Sequence, residues 1–136
     1  EKGYLHWKAD ILTEFDPFET GLDRFVAMDK GDFIGKAALA ERRKSPLGKC
    51  LVTLCLKEDH APAHSGASVM DGDSVVGTIT SGGYGHRVGK NLGYGFVAPE
   101  FSQIGTRVEV DVSGWRIAAV VSEKSLYDPA MVRVRS

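Results

Sequence analysis

The 136-residue sequence has no apolar run approaching the roughly 18 residues needed to span a bilayer, and no segment built like a signal peptide. No membrane partner is expected. It also lacks an excess of charge of either sign: 17 basic residues stand against 18 acidic ones, a net charge of −1. That balance removes the broad attraction to phosphate backbones on which non-specific nucleic-acid binding depends, so no nucleic-acid partner is expected either. Cysteine is confined to Cys50 and Cys55, within Lys49-Cys-Leu-Val-Thr-Leu-Cys-Leu56. Five residues apart in an extended strand, the two thiols fall on opposite faces, which excludes a disulfide within it. They are expected to be small apolar fillers in a reducing compartment. No internal repeat and no low-complexity tract is present, and the chain opens in mid-phrase at Glu1 with no Met, which raises the expectation of a segment from a longer protein.

What is present is enough for one core, since a chain of this length can bury roughly 70% of its unfolded surface. With 43% hydrophobic and 26% charged residues, it has the composition of a globular domain rather than a disordered one. From Gly3 to Met28 the pattern is irregular, and Leu22, Phe25, Val26 and Met28 suit a short element docking on something else. A helix is predicted over residues 34–44, with Ile34, Ala38 and Leu39 on one face, Asp32 capping its start and Glu41-Arg-Arg-Lys44 closing it.

Ser45-Pro46-Leu47-Gly48 ends the helix, and beyond Lys49 the apolar period changes to two. Strands are expected at 49–57, 67–71, 74–80, 91–97, 106–112, 115–122 and 131–135, with tight turns at Asp71-Gly72-Asp73 and Ser113-Gly114. The expected fold is mainly β: a closed or nearly closed antiparallel barrel with a domain boundary near Ser45.

Several motifs fall short of the chemistry they suggest. In Gly82-Gly-Tyr-Gly85-His-Arg-Val-Gly89 the third glycine of a dinucleotide fingerprint is displaced to Gly89, and no helix pattern follows to supply a phosphate-binding N-terminus. Leu92-Gly-Tyr94-Gly-Phe96-Val-Ala-Pro99 approaches an RNA-recognition strand but has Leu92 where a cation belongs and Pro99 where an aromatic belongs. It reads better as a barrel strand with its aromatics packed inward. Asp59, His60 and His64 have a metal-like spacing interrupted by Pro62 and lack a third strong ligand nearby, so no metal is expected. Ser65 and Ser81 have no nucleophile elbow.

The opening residues Glu1, Tyr4, Trp7 and Asp10 form the most suggestive set. A carboxylate accepts two parallel N–H bonds from a planar ligand edge, and aromatic rings make the sides of a slot. The alternative is that Tyr4 and Trp7 pack as core and Glu1 is an exposed end. The stretch from Thr80 to Lys90, carrying Tyr84, His86, Arg87 and Lys90, is either a contact loop, with Tyr84 and Arg87 as its candidate contacts, or an ordinary solvated one.

Glu1-Lys-Gly-Tyr4, Trp7, Asp10, Pro17-Phe-Glu-Thr-Gly21-Leu22, Lys30-Gly-Asp-Phe-Ile-Gly35-Lys-Ala-Ala-Leu39, Gly77-Thr-Ile-Thr80-Ser-Gly82 and Leu126-Tyr-Asp-Pro129 together resemble the C-terminal half of the glycine cleavage T-protein, an aminomethyltransferase. They resemble most the folate-binding half of dimethylglycine and sarcosine dehydrogenases or oxidases, and the likeness runs from residue 1 to about 135. It implies that residues 1–44 are the C-terminal end of a folate-binding domain, a short α/β remnant, and that 45–136 form a Greek-key-like aminomethyltransferase C-terminal barrel. It also implies tetrahydrofolate as cofactor, accepting a one-carbon unit from an amine donor, with Glu1, Tyr4 and Trp7 as folate-binding residues.

Trp7 stands where the T-protein usually has tyrosine, Lys8 where it commonly has glycine, and Ala63 where many members have arginine. The family's catalytic aspartate lies upstream, so no catalytic residue is assigned here. The chain alone is expected to be inert and to bind tetrahydrofolate weakly or not at all. The implied partners are the upstream half of the same polypeptide and a carrier protein or flavin domain, with FAD in that separate domain. The implied location is the cytoplasm, or the mitochondrial matrix in a eukaryote. A folate-dependent demethylase of a sulfonium substrate and a non-catalytic interaction barrel are the competing readings.

Overall fold

The structure is a computed structural model that describes residues 1–57 and 62–136. Among the described residues six strands close into one antiparallel barrel: β1 (Cys50–Leu56), β2 (Ser68–Asp71), β3 (Ser74–Gly85), β4 (Lys90–Val97), β5 (Arg107–Val112) and β6 (Trp115–Ser122), in the spatial order β1-β4-β3-β2-β5-β6. β2, β3 and β4 follow one another as hairpins, and β1 lies beside β4 across them, the Greek-key-like arrangement. β6 pairs with β1 from Thr53↔Ser122 to Leu56↔Ala119, which leaves no open sheet edge.

Alternation along the strands builds the core. Val52, Leu54 and Leu56 of β1 point inward, as do Val108, Val110 and Val112 of β5 and Ile117, Ala119 and Val121 of β6. The register places Leu54 opposite Val121 and Val110 opposite both Ile117 and Val69, so apolar side chains meet across every one of these seams. Both predicted turns form, with Gly72 at φ 55° and the Ser113-Gly114 pair at φ 53° and 89°.

β4 is turned the other way from the sequence expectation. Its inward positions opposite Val52 and Leu54 are Gly95 and Gly93, and Leu92, Tyr94 and Phe96 face outward. A Cβ on Gly95 would lie 2.7 Å from the Thr78 carbonyl oxygen, so the barrel narrows where β4 has no side chain. The outward aromatics are covered by the segment before β1: the Phe15 ring lies 4.5 Å from that of Phe96, and the Glu19 carbonyl accepts the Leu51 N–H at 2.8 Å.

Three further expectations are corrected. β3 does not stop at residue 80 but runs to Gly85, because β4 offers it a ladder from Ser81↔Tyr94 to Gly85↔Lys90 past a bulge at Ile79/Ser81. Thr80 to Lys90 is therefore a hairpin end with a turn at 86–89. The helix is shorter than 34–44: α1 spans Lys36–Arg42, starts at Gly35 with φ 91° and has no side-chain cap. Asp32 instead accepts the N–H of Phe33 at 3.0 Å, and Ile34 is fully exposed. Residues 131–135 form no strand. Asp128 accepts the N–H groups of Val132 at 2.9 Å and Arg133 at 3.1 Å, which sets up the short helix α2 (Val132–Arg135) in place of a strand that the closed barrel could not pair.

Candidate functional site on the outer wall of the barrel

The segment 1–20 crosses the outer face of β1, β4 and β3, and two carboxylates fasten it there. Asp10 is 1% exposed. Its Oδ1 accepts the hydroxyls of Thr80 and Ser81, each at 2.6 Å, and its Oδ2 accepts the His6 N–H at 2.8 Å. Burial of an aspartate is tolerable here because three donors surround it. At the other end, Glu1 Oε1 accepts the backbone N–H of Arg87 and, at 3.3 Å, that of Val88, in the β3–β4 turn. The Arg87 N–H foremost holds the Glu1 carboxyl below its ordinary value; desolvation, the next largest effect, opposes it, and the Val88 N–H, the N-terminal amine and His86 add to the lowering.

Between this arm, the strands and the 124–126 segment lies a cavity of about 210 Å³. Glu1, Ser81, Gly83, Tyr84, Leu92, Tyr94, Thr53, Lys124 and Leu126 line it. Gly83 forms open floor: a Cβ there would meet nothing within 4 Å. A second cavity of about 190 Å³ shares Thr53, Tyr94 and Lys124 with the first. Burial, and after it the charge of Asp10, raises the Tyr94 phenol above its ordinary value, while a hydrogen bond with Thr53 opposes this. Lys124 is lowered, by burial first and by Arg24 next, with Asp23 pulling the other way.

The residues singled out from sequence are thus divided. Glu1 and Tyr84 line the cavity, and the Tyr84 ring stands edge-on to His86 at 5.1 Å. Tyr4 and Trp7 are 63% and 54% exposed and do not line it. Arg87 contributes its N–H to Glu1, while its guanidinium lies 6.0 Å from the Tyr127 ring centre. Tyr94, Thr53, Gly83 and Lys124 were not anticipated. The first is legible only once β4 is known to face outward, and nothing in the order of residues flags Lys124. His64 is exposed, with Nδ1 3.1 Å from the Ser65 carbonyl oxygen, whereas Asp59, His60 and Ala61 lie outside the described residues. Among the described residues no three His, Cys, Asp or Glu side chains gather to hold a metal, and no helix is long and apolar enough to cross a membrane.

A closed six-stranded barrel wrapped by an N-terminal arm, with a cavity beneath the arm, defines the class. The chain belongs to the glycine cleavage T-protein C-terminal barrel domain family, whose model matches residues 49–128. It is 34% identical over 127 residues to the mitochondrial dimethylglycine dehydrogenase of Homo sapiens, covering 93% of this chain and 15% of that protein. To the aminomethyltransferase of Alkaliphilus oremlandii it is 33% identical over 118 residues, 87% of this chain and 32% of that one. The crystal structure of the glycine cleavage system aminomethyltransferase T from Bartonella henselae superposes with a TM-score of 0.77 at 27% identity, covering 85% of this chain and 33% of that one. The chain therefore spans about a third or less of the length of these relatives.

Proposed function

We propose that this chain is the C-terminal barrel portion of a tetrahydrofolate-dependent one-carbon transfer enzyme, of the kind that serves a flavin-linked N-methyl amine dehydrogenase. In this reading residues 1–44 end a folate-binding domain and 45–136 are the barrel that closes one side of the folate pocket. The observation that carries it is the meeting of Glu1, Tyr84 and Tyr94 around a cavity floored by a bare glycine.

The lining suits a flat heteroaromatic ring. Gly83 leaves the sheet face open for it, Leu92 and Leu126 are apolar walls, and the tyrosines offer ring surfaces. Glu1 stays ionised because backbone N–H groups favour its charged form, and a carboxylate with about four acceptor sites keeps capacity for a ligand's N–H edge beyond the two bonds to the turn. When bound, tetrahydrofolate would supply the nucleophilic nitrogen that accepts the one-carbon unit. The residues here bind and orient. Proton transfer needs a group within hydrogen-bond reach of the nitrogen, and that role falls to an aspartate on the upstream half of the polypeptide, so the 136-residue chain alone is inert. FAD belongs to a separate domain and the donor is an N-methylated amine.

The test is a titration of the 136-residue chain with a reduced tetrahydropterin, followed by amide chemical shifts. Weak saturable shifts at Gly83, Tyr84 and Tyr94, abolished by Glu1→Gln, are expected. Shifts confined to other faces, or shifts at this site that persist unchanged in Glu1→Gln, would overturn the reading.

A further inference from the structure

Among the described residues Lys124 has no ion-pair partner, and it sits in a partly desolvated place. Its Nζ reaches the Gly21 carbonyl at 3.4 Å, and among the described residues no carboxylate lies within 4.0 Å of it. Of the neighbouring charges, Arg24 repels it and Asp23 attracts it, the repulsion being the larger. A half-buried ammonium has lost part of its hydration, and a carbonyl oxygen at that distance replaces little of it. Lys124 also stands where the two cavities share a wall with Thr53 and Tyr94. Glu1 lines the first cavity as well. The two side chains differ in charge, so a donor edge is favoured toward Glu1 and an anionic group toward Lys124.

We propose that Lys124 is the carboxylate-binding residue of this double cavity, so that its ligand is an organic acid whose body lies over Gly83 and whose carboxylate meets the lysine ammonium. Two sources share that chemistry: the glutamate of a reduced folate, which rests on the reading above, and a free N-methylated amino acid. Lysine serves either, since its ammonium is a compact charge needing no fixed approach plane.

The test uses the 136-residue chain and three ligands: 5-formyltetrahydrofolate, a tetrahydropterin without the glutamate, and N,N-dimethylglycine. Affinities come from amide shift titrations for the wild type, Lys124→Met, Lys124→Arg and Gly83→Val, each checked for a native amide spectrum. Lys124→Met is expected to weaken at least one carboxylate ligand about tenfold, Lys124→Arg to keep it within about threefold, and the glutamate-free pterin to be indifferent to both. Gly83→Val is expected to abolish binding of the ring-bearing ligands. Should Lys124→Met fail to fold, the wild type decides: added salt must weaken the carboxylate ligands and spare the pterin.

The proposal is overturned if neither carboxylate ligand binds, if both bind with no dependence on Lys124, or if the pterin suffers as much as the folate. Folate and dimethylglycine binding that both ignore Lys124 would sink this proposal alone. Binding of dimethylglycine that needs Lys124, with no folate binding, would sink the folate reading and leave the lysine its role.

Discussion

Asp10 and Ser81, 71 residues apart in sequence, are joined by a 2.6 Å hydrogen bond from the Ser81 hydroxyl to Asp10 Oδ1. The bond ties the N-terminal arm to the strand that floors the cavity. Replacing Asp10 by alanine would leave the Thr80 and Ser81 hydroxyls and the His6 N–H without their acceptor in a buried place. The expected cost is about 2–4 kcal/mol by urea unfolding, with Asp10→Asn costing less because one acceptor oxygen survives.

The Glu1 latch is expected to depend on acid. Its carboxyl titrates below its ordinary value of 4.5 in the folded chain, so the latch contributes above the ordinary value and is lost as pH falls through the lower folded one. Acid titration should move the amide resonances of Arg87 and Val88 together, at a midpoint below 4.5. A midpoint at or above that value, or an unchanged titration in Glu1→Gln, would show that the latch does not form.

Adjacent glycines in β3 should respond oppositely. A Cβ on Gly82 would lie 2.2 Å from the Ala63 carbonyl oxygen, whereas one on Gly83 meets nothing. Gly82→Ala is expected to lose about 2–3 kcal/mol by forcing backbone apart, and Gly83→Ala to be neutral or slightly stabilising, measured by thermal unfolding.

Phe15 is the ring that covers the outer face of β4, 4.5 Å from Phe96 and capped by the Lys49 ammonium at 3.8 Å. Phe15→Ala should cost about 2–4 kcal/mol in denaturant and increase proteolysis of the arm before the barrel unfolds. Equal stability would mean that the arm is not packed on β4.

Lys8 holds a left-handed backbone, φ 70°, at the turn between His6 and Ile11. That conformation crowds any Cβ, and glycine would relieve it. Lys8→Gly should be stabilising by about 0.5–1 kcal/mol in thermal unfolding, and a loss of stability would contradict the backbone assignment.

Much of the barrel was legible because strands write themselves with period two: five of its six strands lie within about a residue of their expected bounds, and Gly72 and Gly114 mark two of its turns. Glycine hid the rest. Gly82, Gly83 and Gly85 have poor strand propensity, so the last turns of β3 looked like a loop until β4 was seen to supply their hydrogen-bond partners. The Val-Arg alternation of 132–135 misled in the reverse sense, since a side chain four residues upstream caps it as a helix.

By itself the sequence determined that this protein is a mainly β barrel preceded by an irregular segment and a helix, that it belongs with the T-proteins, and that Glu1 and Tyr84 merit attention. Alternation separates the two faces of a strand but does not say which is inside when both are covered. Only the tertiary structure decided that Gly93 and Gly95 face the core and Tyr94 the arm, because close approach of Thr78 and Ile79 leaves no room for an inward ring. Closure of the barrel then brought Thr53, Tyr94 and Lys124 to one wall, a meeting of distant residues that no local pattern encodes.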